Sequence, residues 1–506
     1  MRDKSYCATT LLYLQNLYDK IIVESSEVCI EDMDTGIMQG QSEGVEELKK
    51  LELDAYSNTD ILITVPTKNV EDTVKNVVET VDRGLTLYFP NKKSLIVIVD
   101  GFSTDATREN ADATQTKTAK IFVEQFFGPG KGNGIKTSLL IAKEVGASAY
   151  AMVDGDLVSV QPEWIDLLIK PIYKDYDLVV PYYHRAKYDG VITNQLAYPL
   201  TRALYGVEVR QPIGGEFGMS RKLFLKLLTH PLFPGTFGID IFITTVSACE
   251  GMRIVEADLG VKVHESTKKY TNPEETLVPM IRQVVGMMFE LSKYYRDKIE
   301  AISVAESEPR AIERISPPGE QVKKPSDVAA DKEALISAFK EKYHAKATYD
   351  KVPMSDELRE KLDSITEEEQ AAFRFPSDLW AKIVYDFAIA YNTDKEVLDT
   401  LSILLQGRFA SFVVETESLT NEEAEKIVKD QVQLFEQYRN LLFAKTGIGV
   451  AFQKRYLQKL EEKYGNTLQI KRVERIGDDS MVQAFNALFN KNRGVDKIKE
   501  NITCDL

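Results

Sequence analysis

Short apolar runs recur along the first third of this 506-residue chain, and each run is followed by a polar segment. The runs cover residues 61–65, 94–99, 121–123 and 149–153, and helical patterns alternate with them. Short continuous apolar runs are typical of strands buried on both faces, as in parallel sheets covered by crossover helices. The alternation therefore predicts an α/β fold with a mostly parallel sheet, which binds ligands at the carboxyl ends of its strands.

Two carboxylates stand at the predicted end of the fourth strand, in the segment Asp154-Gly155-Asp156. Carboxylate oxygens are hard ligands that Mg²⁺ or Mn²⁺ prefers, and such a metal can bridge them to the phosphates of a nucleotide. The alternative is a plain turn, because aspartate and glycine favour turns whether or not a metal binds. The segment is thus a candidate metal site at the edge of the sheet.

A glycine-rich segment at residues 128–134 precedes the helix that the pattern predicts over residues 135–145. Flanking glycines let a backbone approach a phosphate closely, and the amino terminus of a following helix favours an anion. The segment is therefore a candidate site for a phosphate group. An ordinary flexible loop is the alternative.

Composition limits the classes of partner that the chain suits. Its formal net charge is −15, and an acidic chain without a strong basic block is unsuited to nucleic acid or an anionic membrane. The four cysteines lack metal-binding spacing, which favours reduced thiols in a cytoplasmic protein. Since no apolar run of about 18 residues or signal-like start is present, we expect a cytoplasmic protein without a membrane span.

Several segments together resemble one family of enzymes. They are residues 65–69, 99–105, 130–132, 154–156 and 211–217. The set resembles the GT-A glycosyltransferases, and more narrowly the retaining synthases of glucosyl-3-phosphoglycerate and of mannosyl- and glucosylglycerate. The resemblance covers roughly residues 58 to 300, and its most specific part is the Gln-Pro-x-Gly-Gly-Glu segment that begins at Gln211.

The resemblance implies a Rossmann-like GT-A sheet domain that uses Mg²⁺ or Mn²⁺. The activity it implies is transfer of glucose or mannose from a GDP- or UDP-hexose to glycerate or 3-phosphoglycerate, which makes a glycosylglycerate compatible solute. The implied nucleotide-sugar contacts are Pro66, Asn69, Asp100, Lys131, Asp154, Gly155, Gly214 and Gly215. In the implied metal site, Asp156 and His264 are ligands, and Asp154 bonds to the ribose or to a metal-bound water.

The resemblance also implies catalytic roles for Glu216, Asp156 and Asp240. Glu216 is expected to orient sugar hydroxyls and to stabilise oxocarbenium-like charge through its field, without forming a bond. Asp240 is expected to accept hydrogen bonds from the sugar. The alternatives are that Glu216 pairs with Arg210 or Arg221, and that Asp240 is a helix cap.

An acceptor site is implied within residues 182–194, whose cations suit an anionic substrate. The implied acceptor contacts are His184, Arg185, Thr193 and Asn194. In the phosphoglycerate synthases an arginine stands two residues before the threonine, whereas this chain has Val191 there. We therefore favour glycerate, since a carboxylate needs fewer cations than a phosphate. A phosphate held by Arg185 or Lys187 is the alternative.

The rest of the chain has helical patterns. We predict an amino-terminal helical extension over residues 1–57, the catalytic domain over 58–305, a linker over 306–327 and an α-helical domain over 328–506. Segments beginning at Thr366 and at Thr420 both have the form of a capping box, which predicts the start of a helix. The helical domain is expected to complete or dimerise the enzyme, so a homodimer is the expected assembly.

Other function classes share some of these features. A GT-A transferase with another acceptor, such as a polyprenyl phosphate, has similar donor loops, but the absence of an apolar span disfavours it. A nucleotidyltransferase also combines a glycine-rich loop, a lysine and carboxylates, although its loop normally follows the first strand. A non-catalytic scaffold that binds a sugar nucleotide is the third alternative.

Overall fold

The computed structural model describes residues 44, 46–263, 273–305, 308–317, 325–326, 328–345 and 356–444. These residues fall into two compact units. The first unit contains the described residues up to Asp177 together with Glu216–Ile239, and the second contains Leu178–Gly215 and the described residues from Asp240 onward.

The described residues form the following strands, given in chain order. They are β1 (Ile61–Thr67), β2 (Ser94–Asp100), β3 (Ala119–Glu124), β4 (Ala149–Met152), β5 (Leu178–Tyr182), β6 (Phe217–Ser220), β7 (Ile254–Asp258) and β8 (Glu313–Ile315). In the first unit the strand order is β3-β2-β1-β4-β6, with β1 to β4 parallel and β6 antiparallel to β4. In the second unit β5, β7 and β8 run parallel to one another.

The described residues also form helices before, between and after these strands. They are α1 (Val74–Tyr88), α2 (Thr107–Ala113), α3 (Lys131–Glu144), α4 (Pro162–Ile169), α5 (Tyr198–Tyr205), α6 (Arg221–Leu228), α7 (Ile239–Cys249), α8 (Pro273–Tyr294), α9 (Arg296–Ala305), α10 (Lys332–Ala345), α11 (Asp356–Glu367), α12 (Ser377–Ala390), α13 (Val397–Thr416), α14 (Asn421–Tyr438) and α15 (Leu441–Ala444). The predicted class, an α/β sheet region followed by a mainly helical region, is confirmed.

Burial explains why the predicted strands form where they do. The side chains of residues 61–65 in β1 and of residues 95–99 in β2 are all buried, and most are Val, Ile or Leu. Burying each such side chain contributes about 1.5–3 kcal/mol, and β-branched residues fit a pleated surface. β1 and β2 end in the polar residues Thr67 and Asp100, so their carboxyl ends bring hydrogen-bonding groups to this edge of the first unit.

One described helix, α13, is long and apolar enough to cross a membrane, with a mean hydropathy of 1.4 over its most apolar stretch. However, 72% of that stretch is buried inside the protein, which is typical of a core helix. Arg408 in its middle is fully buried and bonds to the carboxylate of Glu415 and to the hydroxyl of Ser377. A paired arginine at this position fits a core helix better than a lipid-facing one.

The structure differs from the predicted helix starts in two places. Helix α3 begins at Lys131 and not at residue 135, so much of the glycine-rich segment is helical. Thr420 does form a capping box with Glu423, as predicted. The capping box predicted at Thr366 is wrong, because α11 ends beside it and its hydroxyl donates backward to the carbonyl of Asp363, 2.7 Å away.

The predicted domain boundaries stay a prediction. Most of the predicted amino-terminal extension and the last third of the predicted helical domain lie outside the described residues, as does the predicted metal ligand His264.

Candidate functional site

Asp154 and Asp156 directly follow the end of β4 in the first unit, and Gly155 between them holds the turn against β1. The Gly155 N–H donates to the carbonyl of Pro66 at 3.0 Å, and its own carbonyl accepts from the Thr73 hydroxyl at 2.7 Å. A Cβ at this position would lie 2.8 Å from the Pro66 oxygen, so only glycine fits. Both carboxylates are partly exposed. The turn therefore presents two hard oxygen donors at the edge of the sheet.

Replacing Gly155 by Ala should displace this turn. The added methyl group would overlap a backbone oxygen that cannot move without distorting β1, which predicts a loss of about 1–3 kcal/mol in the free energy of unfolding. Urea unfolding measures the change, and Val158→Ala, at an exposed neighbouring position, is the control. A Gly155→Ala protein as stable as the control would contradict the packing described here.

Asp100 ties together the loops that follow β1 and β2. Its carboxylate is only 5% exposed and accepts from the Ser103 N–H at 2.7 Å, the Ser103 hydroxyl at 2.6 Å and the Thr67 hydroxyl at 2.9 Å. Asn69 has a φ of +51° and bonds to the same loop, donating to Ser103 and accepting from Thr104. These bonds preorganise the edge of the sheet around Pro66. The nucleoside contacts predicted for these residues stay predictions.

Lys131 and Asp154 form an ion pair at this edge. The Lys131 ammonium lies 3.1 Å from one carboxylate oxygen of Asp154, and the two side chains are 13% and 20% exposed. The pair brings together a residue predicted to contact a diphosphate and a residue predicted to support a metal. It also shows that the carboxylate of Asp154 favours a neighbouring positive charge.

The first turn of α3 does not offer its backbone amides as predicted. The N–H groups of Gly132 and Asn133 donate to the carbonyls of Thr236 and Gly235, at 3.2 and 3.1 Å. A Cβ on Gly132 would lie 2.0 Å from the carbonyl oxygen of Pro234. The glycine is thus needed for close packing of residues 234–236, and these two amides are not available to a phosphate. The Lys131 side chain is the remaining candidate contact.

Glu216 lies at the same edge of the first unit. It precedes β6, whose Phe217 pairs with Met152 of the antiparallel β4, so the register places Glu216 opposite Val153 and one residue from Asp154. Its side chain is fully buried. The two arginines considered as alternative partners bond elsewhere: Arg221 donates to the carbonyl of Ala147, and Arg210 bonds within the second unit.

The second unit contains a cavity of about 710 Å³. The predicted acceptor residues His184, Arg185 and Asn194 line it, together with residues of α14. Thr193, which is also predicted, is buried and is not among the lining residues. Three of the four predicted acceptor residues are therefore brought to one cavity.

His184 and Arg185 each have a carboxylate partner in the second unit. The His184 imidazole lies 3.0 Å from both carboxylate oxygens of Asp258, and Arg185 lies 3.6 Å from the Asp189 carboxylate. Asn194 is on the π-helix Thr193–Ala197, a rare element that often marks functional sites.

Lys187 does not take the role weighed for it as a phosphate contact. Its ammonium donates to the carbonyls of Thr416 and Leu419, both at 2.7 Å, and of Glu417 at 3.1 Å. These carbonyls lie at and after the carboxyl end of α13, where a cation is favoured by the helix dipole. The alternative in which Lys187 reaches a phosphate is therefore not supported.

Sequence reasoning missed an ion pair at this cavity, between Arg210 and Glu425. The guanidinium donates to the two carboxylate oxygens at 2.8 and 2.7 Å, and also to the side-chain oxygen of Asn194 at 2.8 Å. Burial alone lowers the pKa of Arg210, but the Glu425 carboxylate outweighs this effect and the pKa is raised. No local pattern predicts a pair whose members are 215 residues apart.

The remaining predicted site residues are held by tight packing. Gly214 leaves no room for a side chain, because a Cβ would lie 2.2 Å from the Pro181 ring, and its carbonyl accepts from Lys262. Gly215 has a φ of +100°, which favours glycine. Asp240 lies in the first turn of α7 and is almost fully buried. Their sugar contacts stay predictions.

The carboxylates of the first unit fit a hard divalent cation by their chemistry. Oxygen donors from Asp154 and Asp156 are the type that Mg²⁺ and Mn²⁺ bind, and both carboxylates are partly exposed at the edge of the sheet. Within the part of the chain that the structure describes, no group of three or more metal-binding side chains is assembled. His264, the further ligand that the resemblance implies, lies outside the described residues.

Comparison with known proteins agrees with these features. Residues 65–272 match the family model described as mannosylglycerate synthase, GT domain. The chain thus resembles GT-A glycosyltransferases, as the sequence predicts.

Two curated relatives, both mannosylglycerate synthases, match part of the chain. The enzyme of Rhodothermus marinus is 30% identical over 138 residues, which are 25% of this chain and 34% of that protein. The enzyme of Selaginella moellendorffii is 28% identical over 166 residues, which are 30% of this chain and 39% of that protein. The matched region thus spans less than half the length of either relative.

A solved structure is also similar. It is glucosyl-3-phosphoglycerate synthase from Mycobacterium tuberculosis in complex with Mn²⁺, UDP and phosphoglyceric acid, at 25% identity and a TM-score of 0.38. The similarity covers 47% of this chain and 81% of that one.

Proposed function

We propose that the chain is a metal-dependent, retaining hexosyltransferase that moves glucose or mannose from a nucleoside-diphosphate sugar to glycerate. The observation that carries this proposal is the turn at Gly155, which fixes two carboxylates at the carboxyl edge of a sheet within the segment that matches a glycosyltransferase family. Parallel sheets bind nucleotides at this edge.

The donor is held by residues of the first unit. Asp156, supported by Asp154, would hold Mg²⁺ or Mn²⁺, which when bound supplies positive charge for the departing diphosphate. His264, the further ligand that the resemblance implies, lies outside the described residues. The ammonium of Lys131, now 3.1 Å from Asp154, would bond to the same diphosphate. Through their bonds to Ser103, Asp100 and Asn69 fix the conformation of the loops that would contact the nucleoside.

Glu216 contributes an oriented negative charge beside these carboxylates. Full burial next to β4 restricts its motion, so its field is fixed before the substrate binds. In the retaining reaction that we propose, the leaving diphosphate takes the acceptor's proton while Glu216 stabilises charge on the sugar. Asp240 is assigned the hydrogen bonds to the sugar hydroxyls.

The acceptor is held in the cavity of the second unit. Arg185 and His184 line it and provide donors for a carboxylate, while Lys187 is used to bind helix carbonyls. Together with Val191, this arrangement offers fewer free cations than a phosphate requires. We therefore propose glycerate rather than 3-phosphoglycerate as the acceptor, and a cytoplasmic homodimer as the form of the enzyme.

A matrix of substrates tests this function. GDP-glucose, GDP-mannose, UDP-glucose and UDP-mannose are each incubated with glycerate or with 3-phosphoglycerate, with Mg²⁺ or Mn²⁺, and nucleoside diphosphate release is measured. We expect release with glycerate and at least one donor, loss of release with a chelator, and a product whose anomeric configuration by NMR matches that of the donor. Turnover with 3-phosphoglycerate alone would overturn the proposed acceptor, and no release with any pair would overturn the function.

A further inference from the structure

We propose that Glu425 of helix α14 determines which acceptor the cavity takes, by holding the guanidinium of Arg210 and cancelling its charge. The inference rests on the proposed function of the cavity as the acceptor site. It adds a positioning residue from the carboxyl-terminal helices, a region for which the sequence carries no functional motif.

The first step is the geometry of the pair. Both carboxylate oxygens of Glu425 bond to Arg210, through Nε and Nη2, and Arg210 is only 11% exposed. A two-point bond between a planar guanidinium and a carboxylate fixes orientation as well as distance. The ring of Tyr198 lies 4.9 Å from the guanidinium and further limits its motion. Arg210 is therefore held in one position on the wall of the cavity.

The third nitrogen of the Arg210 guanidinium, Nη1, differs from the two that bond to Glu425. Nη1 of Arg210 is buried and has no hydrogen-bond partner within the described residues. A buried donor left without a partner costs about 1–3 kcal/mol, and the bonds of Nε and Nη2 to Glu425 hold the guanidinium in place against this cost. Arg210 lines the cavity while Nη1 itself is buried, so the positive charge of the guanidinium, and not a bond from Nη1, acts on a bound carboxylate.

The charged side chains that line the cavity set its formal charge. Three lining side chains are cations, Arg185, Lys187 and Arg210, and two are carboxylates, Glu422 and Glu425. Summed over these five side chains the formal charge is +1, which is opposite to the charge of a single carboxylate. A phosphate brings about 1.5 to 2 further negative charges, which this wall does not balance. Without the carboxylate of Glu425 the net charge becomes +2, and the discrimination against a phosphate should weaken.

Helix α14 also supports the acceptor side through a second contact. The Gln431 side chain donates to the carbonyl of Asn194 at 3.2 Å, and the Asn194 side chain accepts from Arg210 and donates to the carbonyl of Asp189. Asn194 thus positions Arg210 more than it offers free groups to a ligand. Helix α14 therefore holds Arg210 through Glu425 and Asn194 through Gln431.

Binding measurements on purified full-length protein test the inference independently of sugar transfer. Dissociation constants for glycerate and 3-phosphoglycerate are measured by isothermal titration calorimetry for wild type, Glu425→Gln and Glu425→Asp. We expect Glu425→Gln to shift the ratio of the two constants at least about tenfold toward 3-phosphoglycerate. Glu425→Asp keeps the charge and should stay within about threefold of the wild-type ratio. Asp430→Asn removes a charge from an exposed position of the same helix and should leave the ratio unchanged.

The outcomes separate this inference from the proposed function. An unchanged ratio in a folded Glu425→Gln protein would overturn the inference, and turnover by wild type would leave the proposed function standing. A shifted ratio without any turnover by wild type would support the acceptor selection and overturn the function. If neither glycerate nor 3-phosphoglycerate binds to the wild-type protein, both the inference on Glu425 and the proposed function are overturned. Should Glu425→Gln fail to fold, a Glu425→Asp protein with a ratio shifted as far as tenfold would count against the inference.

Discussion

Replacing Asp156 by Asn should reduce the rate of sugar transfer by at least about a thousandfold. The amide keeps the size of the carboxylate but loses the negative charge that a divalent cation needs. Because the diphosphate leaves only if its developing charge is balanced, the loss should appear in kcat at saturating donor and metal. Nucleoside diphosphate release in the presence of Mn²⁺ measures the effect.

A matched variant separates the charge of Asp156 from the general charge of the protein. Asp112 is an exposed residue of α2 whose carboxylate lies 3.7 Å from Arg108, and Asp112→Asn makes the same change of charge in the same unit. We expect it to retain wild-type activity. An Asp156→Asn enzyme that keeps more than about a tenth of the wild-type rate would show that the metal is held elsewhere.

Replacing Arg408 by Met should destabilise the second unit by about 3–5 kcal/mol. Arg408 is fully buried in α13 and bonds to Glu415, to Gln431, to the hydroxyl of Ser377 and to the carbonyl of Phe375. Methionine has a similar length but no hydrogen-bond donors. The carboxylate of Glu415 and the carbonyl of Phe375 therefore lose the bonds from Arg408 where little water can replace them.

Urea unfolding followed by tryptophan fluorescence measures this loss in the second unit. The chain has two tryptophans, and a Trp164→Phe background leaves Trp380, which belongs to α12 in the second unit, as the reporter. Arg374→Met removes an exposed arginine near the same helix and should cost less than about 0.5 kcal/mol. A cost for Arg408→Met below about 1 kcal/mol would mean that the network adds little to stability.

The strands of the first unit were predictable because their signal is local. Four apolar residues among the five at positions 61–65, most of them β-branched, favour a buried strand, and the structure extends β1 only to Thr67. The position of Asp154 and Asp156 at a sheet edge followed from the same pattern. Family resemblance then supplied the roles that periodicity cannot supply.

The two similar capping patterns show where local reasoning ends. Thr420 begins α14 as predicted, whereas Thr366 lies near the end of α11. The residues that follow decide the outcome: beyond Thr420 an apolar stripe packs at Val428, Val432 and Phe435, and no such stripe follows Thr366. A cap therefore indicates a helix only when the sequence after it has a face to bury.

Contacts between distant segments were not predictable from one sequence. The loop of residues 234–236 takes the amides of Gly132 and Asn133, and Glu425 binds Arg210 from 215 residues away. Both contacts depend on the tertiary fold and leave no periodic pattern. They change the account of the site, because the first removes a predicted anion contact and the second adds a charged pair to the acceptor cavity.

Anomalous diffraction from crystals grown with Mn²⁺ and a nucleoside diphosphate tests the central claim most directly. We expect one strong manganese peak at the carboxylate of Asp156, with the diphosphate between the metal and the ammonium of Lys131. A manganese peak and a nucleotide bound at another face of the first unit, with Asp154 and Asp156 free of both, would contradict it.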